Sequence, residues 1–183
     1  NESRKHADQI VQDYFSAEAY WKVANKKAKF ITTIAMFYDL DDPISFLKEV
    51  DEVMDDEGLF VLQLSYTPLM LQQLAFDNIC HEHVCFYSLS SMKYLLDKTG
   101  FTIVDCILND VNGGSFRIYI RKKSATKELL KTTPYRDVAD FRINSMLEYE
   151  KKLNLNDPKV YKDFFSKIGE LKKQTVSFIR EEK

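Results

Sequence analysis

The hydrophobic pattern changes period several times along this chain, and each change marks an element. Ala28–Leu40 ("AKFITTIAMFYDL") is a nearly unbroken apolar run, the pattern of a strand covered on both faces in a parallel sheet. In "DDPISFLKEVDEVMDDEG" the period becomes helical: Asp42 and Pro43 mark a start, Ile44, Leu47, Val50, Val53 and Met54 form a stripe, and Gly58 closes it. "LFVLQLSY" (Leu59–Tyr66) reads as a second buried strand. Upstream, "QIVQDYF" (Gln9–Phe15) mixes β-branched and aromatic residues as a strand does, and Ser16 caps a helix in "SAEAYWKVANKK".

Strand, helix, strand, helix, strand with short joins predicts an open α/β sheet whose ligands sit beyond the carboxyl ends of the strands. "SLSSMKYLLDKTG" then reads as a helix from a serine cap to Gly100. "FTIVDCILND" and "SFRIYIRKK" read as two strands joined by "VNGG", an antiparallel pair at one edge. From Ala125 the composition turns charged and glycine-poor, with helical stretches around Arg136–Leu153 and Pro158–Glu182. The second carries Tyr161, Phe164, Ile168, Leu171 and Phe178 on one face, so that face is expected to lie on something apolar.

Composition narrows the function. At 183 residues and 45% hydrophobic the chain is long enough for a core, and 26 basic against 28 acidic residues leave no one-signed field for nucleic acid or an anionic membrane. No run approaches a membrane span. Three cysteines, Cys80, Cys85 and Cys106, are an odd number without framework spacing, which points to a reducing compartment, the cytoplasm. None of the five glycines lies in a phosphate-binding loop arrangement.

The densest chemistry is "FDNICHEHVCFYS" (Phe76–Ser88). As a metal site Cys80, His81, His83 and Cys85 would have to wrap one ion with almost no loop and no distant second ligand pair, so no metal is expected. As a proton-transfer site it makes sense, because histidine titrates near neutrality and a neighbouring carboxylate, Glu82, can orient it. The competing reading is that these side chains cap a helix and bond to backbone. Likewise "NGGSFR" could offer backbone N–H groups and Arg117 to a phosphate, or be a hairpin turn.

The segments "QDYFSAEAYWKV", "AKFITTIAMFYDLDDPISFLKEVDEVMDDEGLFVLQLSY", "FDNICHEHVCFYSLSSMKYLLDKTGF" and "VNGGSFRIYI" resemble, in order from about Ile10 to Arg121, the S-adenosylmethionine-dependent sugar C-methyltransferases. Those enzymes methylate nucleotide-linked keto-deoxysugars. The resemblance implies an internal fragment: part of a Rossmann-like class I methyltransferase domain (1–124) with parallel strands and an antiparallel edge pair, then a helical extension (125–183) towards a further domain. The family's zinc-binding N-terminal domain, glycine-rich turn and ribose-binding acid have no counterpart in this sequence, so the S-adenosylmethionine site is expected to be incomplete and the fragment inactive alone.

Carried over by position, the resemblance makes His83 the general base and Glu82 its partner. It places His81, Cys80, Tyr38, Asn112, Gly113 and Gly114 at the sugar, and Tyr14, Phe15, Ala35 and Met36 at the cofactor. Two departures bear on the sugar: Cys80 stands where one branch has a tyrosine, and Tyr38 or Asp39 where that branch has a histidine. The implied partner is a nucleotide-sugar, with a homodimer possible. The rival expectation is a non-enzymatic α/β module that binds another chain through its amphipathic helices.

Overall fold

A computed structural model describes residues 5–125 and 136–182. One mixed four-stranded sheet organises them: β1 (Ala28–Ile34), β2 (Met54–Ser65), β3 (Phe101–Asn109) and β4 (Ser115–Lys122), in the order β1-β2-β4-β3. β1 and β2 run parallel, pairing Ile31 with Phe60, whereas β4 is antiparallel to both its neighbours, setting Ile118 opposite Leu62 and Cys106. The helices are α1 (Ala17–Trp21), α2 (Pro43–Val53), α3 (Thr67–Gln73), α4 (Leu89–Lys98), α5 (Arg136–Leu153) and α6 (Pro158–Glu181).

Local chemistry accounts for the boundaries. Asp42 accepts the Ser45 N–H with Pro43 in the first turn, which starts α2. Ser88 and Ser91 exchange side-chain bonds to each other's backbone N–H, a capping box that starts α4. Leu47 and Val50 from α2, Leu62 and Leu64 from β2, Leu89, Met92 and Leu96 from α4, and Phe116 and Ile118 from β4 form one buried cluster. Arg142 of α5 clamps Asp105 of β3 through two bonds of 2.9 and 2.6 Å, fastening the helical extension to the far edge.

Five expectations differ from the structure. Gln9–Phe15 forms no strand, so the sheet has one parallel pair, and α1 is only five residues long. The apolar run from Ala28 stops pairing at Ile34, because Ala35 turns left-handed (φ 53°) and Phe37–Asp39 coils into a 3-10 turn. α2 gives way to strand at Met54, well before Gly58. β1 is also not covered on both faces: Phe30 is 60% and Ile34 55% exposed, because no described element lies against the face that carries them.

The stripe on α6 is divided in the same way. Phe164 is buried, but every residue from 170 to 182 is exposed, Phe178 included, because no described element lies against the distal half of the helix. The join between sheet and helical extension, 126–135, lies outside the described residues. No helix among the described residues is long and apolar enough to cross a membrane.

Candidate functional site

The strands deliver their carboxyl ends to the loop that carries the histidines. After β2, Tyr66 and Thr67 turn the chain into α3, which ends where Leu74 adopts a left-handed conformation (φ 54°). The chain then coils through a 3-10 turn at Phe76–Asn78, so "CHEH" lies on a folded loop and not on an extended segment. Its return leg is anchored: the Cys85 N–H donates to the Tyr38 carbonyl (3.0 Å), and the Thr67 N–H and hydroxyl both donate to the Tyr87 carbonyl.

His83 is held on two sides. Its Nδ1 lies 2.7 Å from the backbone carbonyl of Asn78. A carbonyl can only accept, so Nδ1 carries a proton, and in the neutral ring the lone pair then lies on Nε2. The ring also packs on Tyr38, with centroids 4.2 Å apart, and has Phe86 at 6.4 Å. Tyr38 is buried, and its phenol ionises above its ordinary range because of burial first and the nearby Asp39 and Cys80 next.

The carboxylate expected to orient this histidine does not. Glu82 points to solvent, 70% exposed, with His81 as its neighbour at 3.8 Å, itself 91% exposed. Asn78, whose carbonyl meets the ring instead, is itself tied down. Its buried side chain accepts from the Ser65 hydroxyl (3.1 Å) and reaches towards the carbonyls of Ala75 and Asn112 (3.4 and 3.5 Å), joining β2, the histidine loop and the hairpin turn.

The glycines of that turn face α3 and its exit. A Cβ on Gly113 would meet Ala75 at 3.2 Å, and one on Gly114 would meet the Leu69 Cβ at 2.8 Å. Asn112 itself is left-handed (φ 51°) and exposed. Arg117 is already engaged across the sheet, its Nε donating to the Gln63 side chain (2.9 Å).

Behind the loop, Glu150 of α5 is buried and accepts three bonds, from the Tyr66 hydroxyl and from the Leu89 and Ser90 N–H groups at the start of α4. A cavity of about 680 Å³ opens here, lined by Thr67, Phe86, Ser90, Tyr94, Glu150 and Tyr161 among others. Phe86 stands between it and His83. Sequence reasoning missed both Asn78 and Glu150. A signal for the second was present: it follows Ile143, Met146 and Leu147 at helical spacing, a carboxylate on an apolar stripe.

Buried acids in this core predict a loss of stability in alkali. Burial first, and Asp105 next, push the Cys106 thiol from 9.0 up to about 12. Tyr66 and Tyr87 are raised above 10.0, chiefly by burial. The unfolded chain releases these protons at lower pH than the folded one, so stability is full below about pH 8 and falls as pH rises through 9 and beyond. Urea midpoints measured at about pH 8 and about pH 10.5 are expected to drop between the two; equal midpoints would contradict the burial of these groups.

The residues that the resemblance assigns to the cofactor lie largely open to solvent. Tyr14 is 93% exposed, Phe15 packs on Phe46 at 5.2 Å, Met36 is half-buried, and the exposed Ala35 spends its N–H on the Gln63 carbonyl (2.9 Å). They present no row of free backbone donors, so on their own they do not enclose a nucleoside cofactor. Among the described residues no three His, Cys, Asp or Glu side chains converge as a metal site would require.

A family model described as a methyltransferase domain matches residues 2–105, more than half of the chain, and one described as a C-methyltransferase C-terminal domain matches residues 110–183. The chain belongs to the methyltransferase family. Within it, the chain is similar to the C-methyltransferase NovU of Streptomyces niveus, 24% identical over 168 residues. That match covers 91% of the chain but only 38% of NovU, so the chain spans well under half of its relative. Solved structures with a similar path include LepI in complex with SAM (14% identity, TM-score 0.46, 54% of this chain and 27% of that one). The mitomycin 7-O-methyltransferase MmcR also aligns (13%, TM-score 0.43, 56% and 32%). In this methyltransferase chain the parallel strands, antiparallel edge pair and trailing helices agree with the fold that the resemblance implied.

Proposed function

We propose that this chain is the substrate-facing part of an S-adenosylmethionine-dependent C-methyltransferase that methylates a carbon beside the carbonyl of a nucleotide-linked keto-deoxysugar. The observation that carries this reading is His83, with Nδ1–H bonded to the Asn78 carbonyl and Nε2 left as a base at the carboxyl end of the sheet. His83 Nε2 takes the proton from the carbon next to the carbonyl, and the electron pair moves onto the carbonyl oxygen. Tyr38 supports the imidazole ring, Cys80 lies beside Tyr38, and the exposed Glu82 and His81 form the rim over which the sugar enters. S-adenosylmethionine, when bound, supplies an electrophilic methyl group. Tyr14, Phe15, Ala35 and Met36 contribute only part of its site. The division into a sheet domain (1–124) and a helical extension (125–183), and a cytoplasmic location suggested by the three unpaired cysteines, belong to the same reading.

In the full-length enzyme, His83→Asn is expected to lower kcat by about 100-fold or more, the usual worth of a general base, while leaving S-adenosylhomocysteine affinity unchanged. Proton–deuterium exchange at the substrate carbon should fall in parallel. A variant with near wild-type turnover would remove His83 from the chemistry.

A further inference from the structure

We infer that Asn78 is the positioning residue of this site: its backbone carbonyl sets which nitrogen of His83 is bare, and its side chain holds that carbonyl in place. The inference rests on the reading of His83 as the base, but its geometry can be tested without turnover. The carbonyl that meets Nδ1 at 2.7 Å belongs to a residue in a single 3-10 turn, whose own backbone bonds (Asn78 N–H to the Ala75 carbonyl, 3.3 Å; Ile79 N–H to the Phe76 carbonyl, 2.9 Å) are local to that turn. The side chain adds the tertiary anchors that tie this turn to the rest of the fold. Asn78 is 7% exposed and is tied to the end of β2 by the Ser65 hydroxyl at 3.1 Å, with its amide between the carbonyls of Ala75 and Asn112. A carboxamide suits the place because it accepts from a hydroxyl on one side and donates to carbonyls on the other, which neither Asp nor Leu can do.

The consequence is chemical. An unconstrained neutral histidine ring carries its proton mainly on Nε2, the tautomer that could not remove a substrate proton through that atom. The Asn78 carbonyl reverses the preference. Tyr38, packed on the ring at 4.2 Å, limits rotation that would exchange the two nitrogens. The Asn112 turn, expected to touch the sugar directly, thereby affects the histidine through Asn78.

The test is nitrogen-15 NMR of the histidine rings in this chain at a pH where His83 is neutral, comparing wild type with Asn78→Ala, Asn78→Asp and Ser65→Ala. Wild type should show protonated Nδ1 and bare Nε2. Ser65→Ala should raise the Nε2–H to Nδ1–H ratio about fivefold, the effect of weakening one ordinary hydrogen bond, and Asn78→Ala should raise it further. Asn78→Asp, which keeps the acceptor for Ser65 but loses the donors, should fall between wild type and Asn78→Ala. If Asn78→Ala does not fold, Ser65→Ala decides, because it removes one hydroxyl at a half-buried strand end. An Nε2–H tautomer in the wild type, or an unchanged ratio in folded variants, would overturn the inference. Those outcomes are separate from the His83→Asn assay: His83 could prove to be the base while Asn78 leaves its tautomer unmoved, or the reverse.

Discussion

Replacing Glu150 with alanine is expected to lower the stability of this chain by about 3–5 kcal/mol, through three groups that lose one acceptor together. The carboxylate is 4% exposed and takes bonds from the Tyr66 hydroxyl at 2.8 Å and from the Ser90 N–H at 2.9 Å, with the Leu89 N–H as the third donor. Tyr66 and Leu89 are essentially without solvent contact, so their two donors are left buried, whereas the exposed Ser90 N–H borders the cavity and can turn to water. Each buried donor left unpaired costs about 1–3 kcal/mol. The carboxylate also sits against the positive end of α4, a favourable placement that alanine forfeits. Glu150→Gln, which retains one oxygen but turns an amide towards N–H groups, should fall between wild type and alanine. Chemical denaturation of the three proteins checks the order. A Glu150→Ala chain within about 1 kcal/mol of wild type would mean that these bonds contribute little.

Gly114→Ala should be nearly as damaging, by about 3–5 kcal/mol, although only a methyl group is added. At φ 109° and ψ 108° the residue occupies backbone territory that side chains avoid. The added Cβ would also lie 2.8 Å from the Cβ of Leu69, an atom that cannot move without moving α3. Strain and overpacking act together here, since relieving one by shifting the turn pulls the Gly114 carbonyl from the Tyr66 N–H (3.1 Å). Thermal melting should show the loss. Gly100→Ala is the comparison: it has positive φ but nothing within 4 Å, so it should cost about 1 kcal/mol. Equal losses at both positions would show that conformation alone, not contact with α3, makes Gly114 necessary.

The two positions show how much was legible beforehand. Gly113 and Gly114 were recognisable as a turn from "VNGG", yet the reason for them, the close approach of α3, depends on a helix more than 40 residues earlier in the chain. Glu82 looked like the partner of His83 because it is next to it in sequence. On a folded loop, adjacent side chains diverge, and the bond went to a backbone carbonyl five residues away. Asn78 carried no sequence signal as a positioning residue, because its role arises from a strand end and a hairpin turn that meet only in the fold.

The sequence by itself determined the elements whose stabilising contacts are local or periodic. These are α2 behind Asp42 and Pro43, α4 behind its serines, the buried run of β2, and the hairpin at Asn112–Gly114. It also brought the two histidines, the carboxylate and two cysteines onto one loop. Tertiary structure decided what those residues face. Whether an apolar strand is covered on both sides, as β2 is and β1 is not, depends on which elements pack against each face of the sheet, which a one-dimensional pattern does not contain. The proton on His83 is likewise placed by a distant hydrogen-bond network, because a tautomer is selected by whichever group the fold brings to the ring.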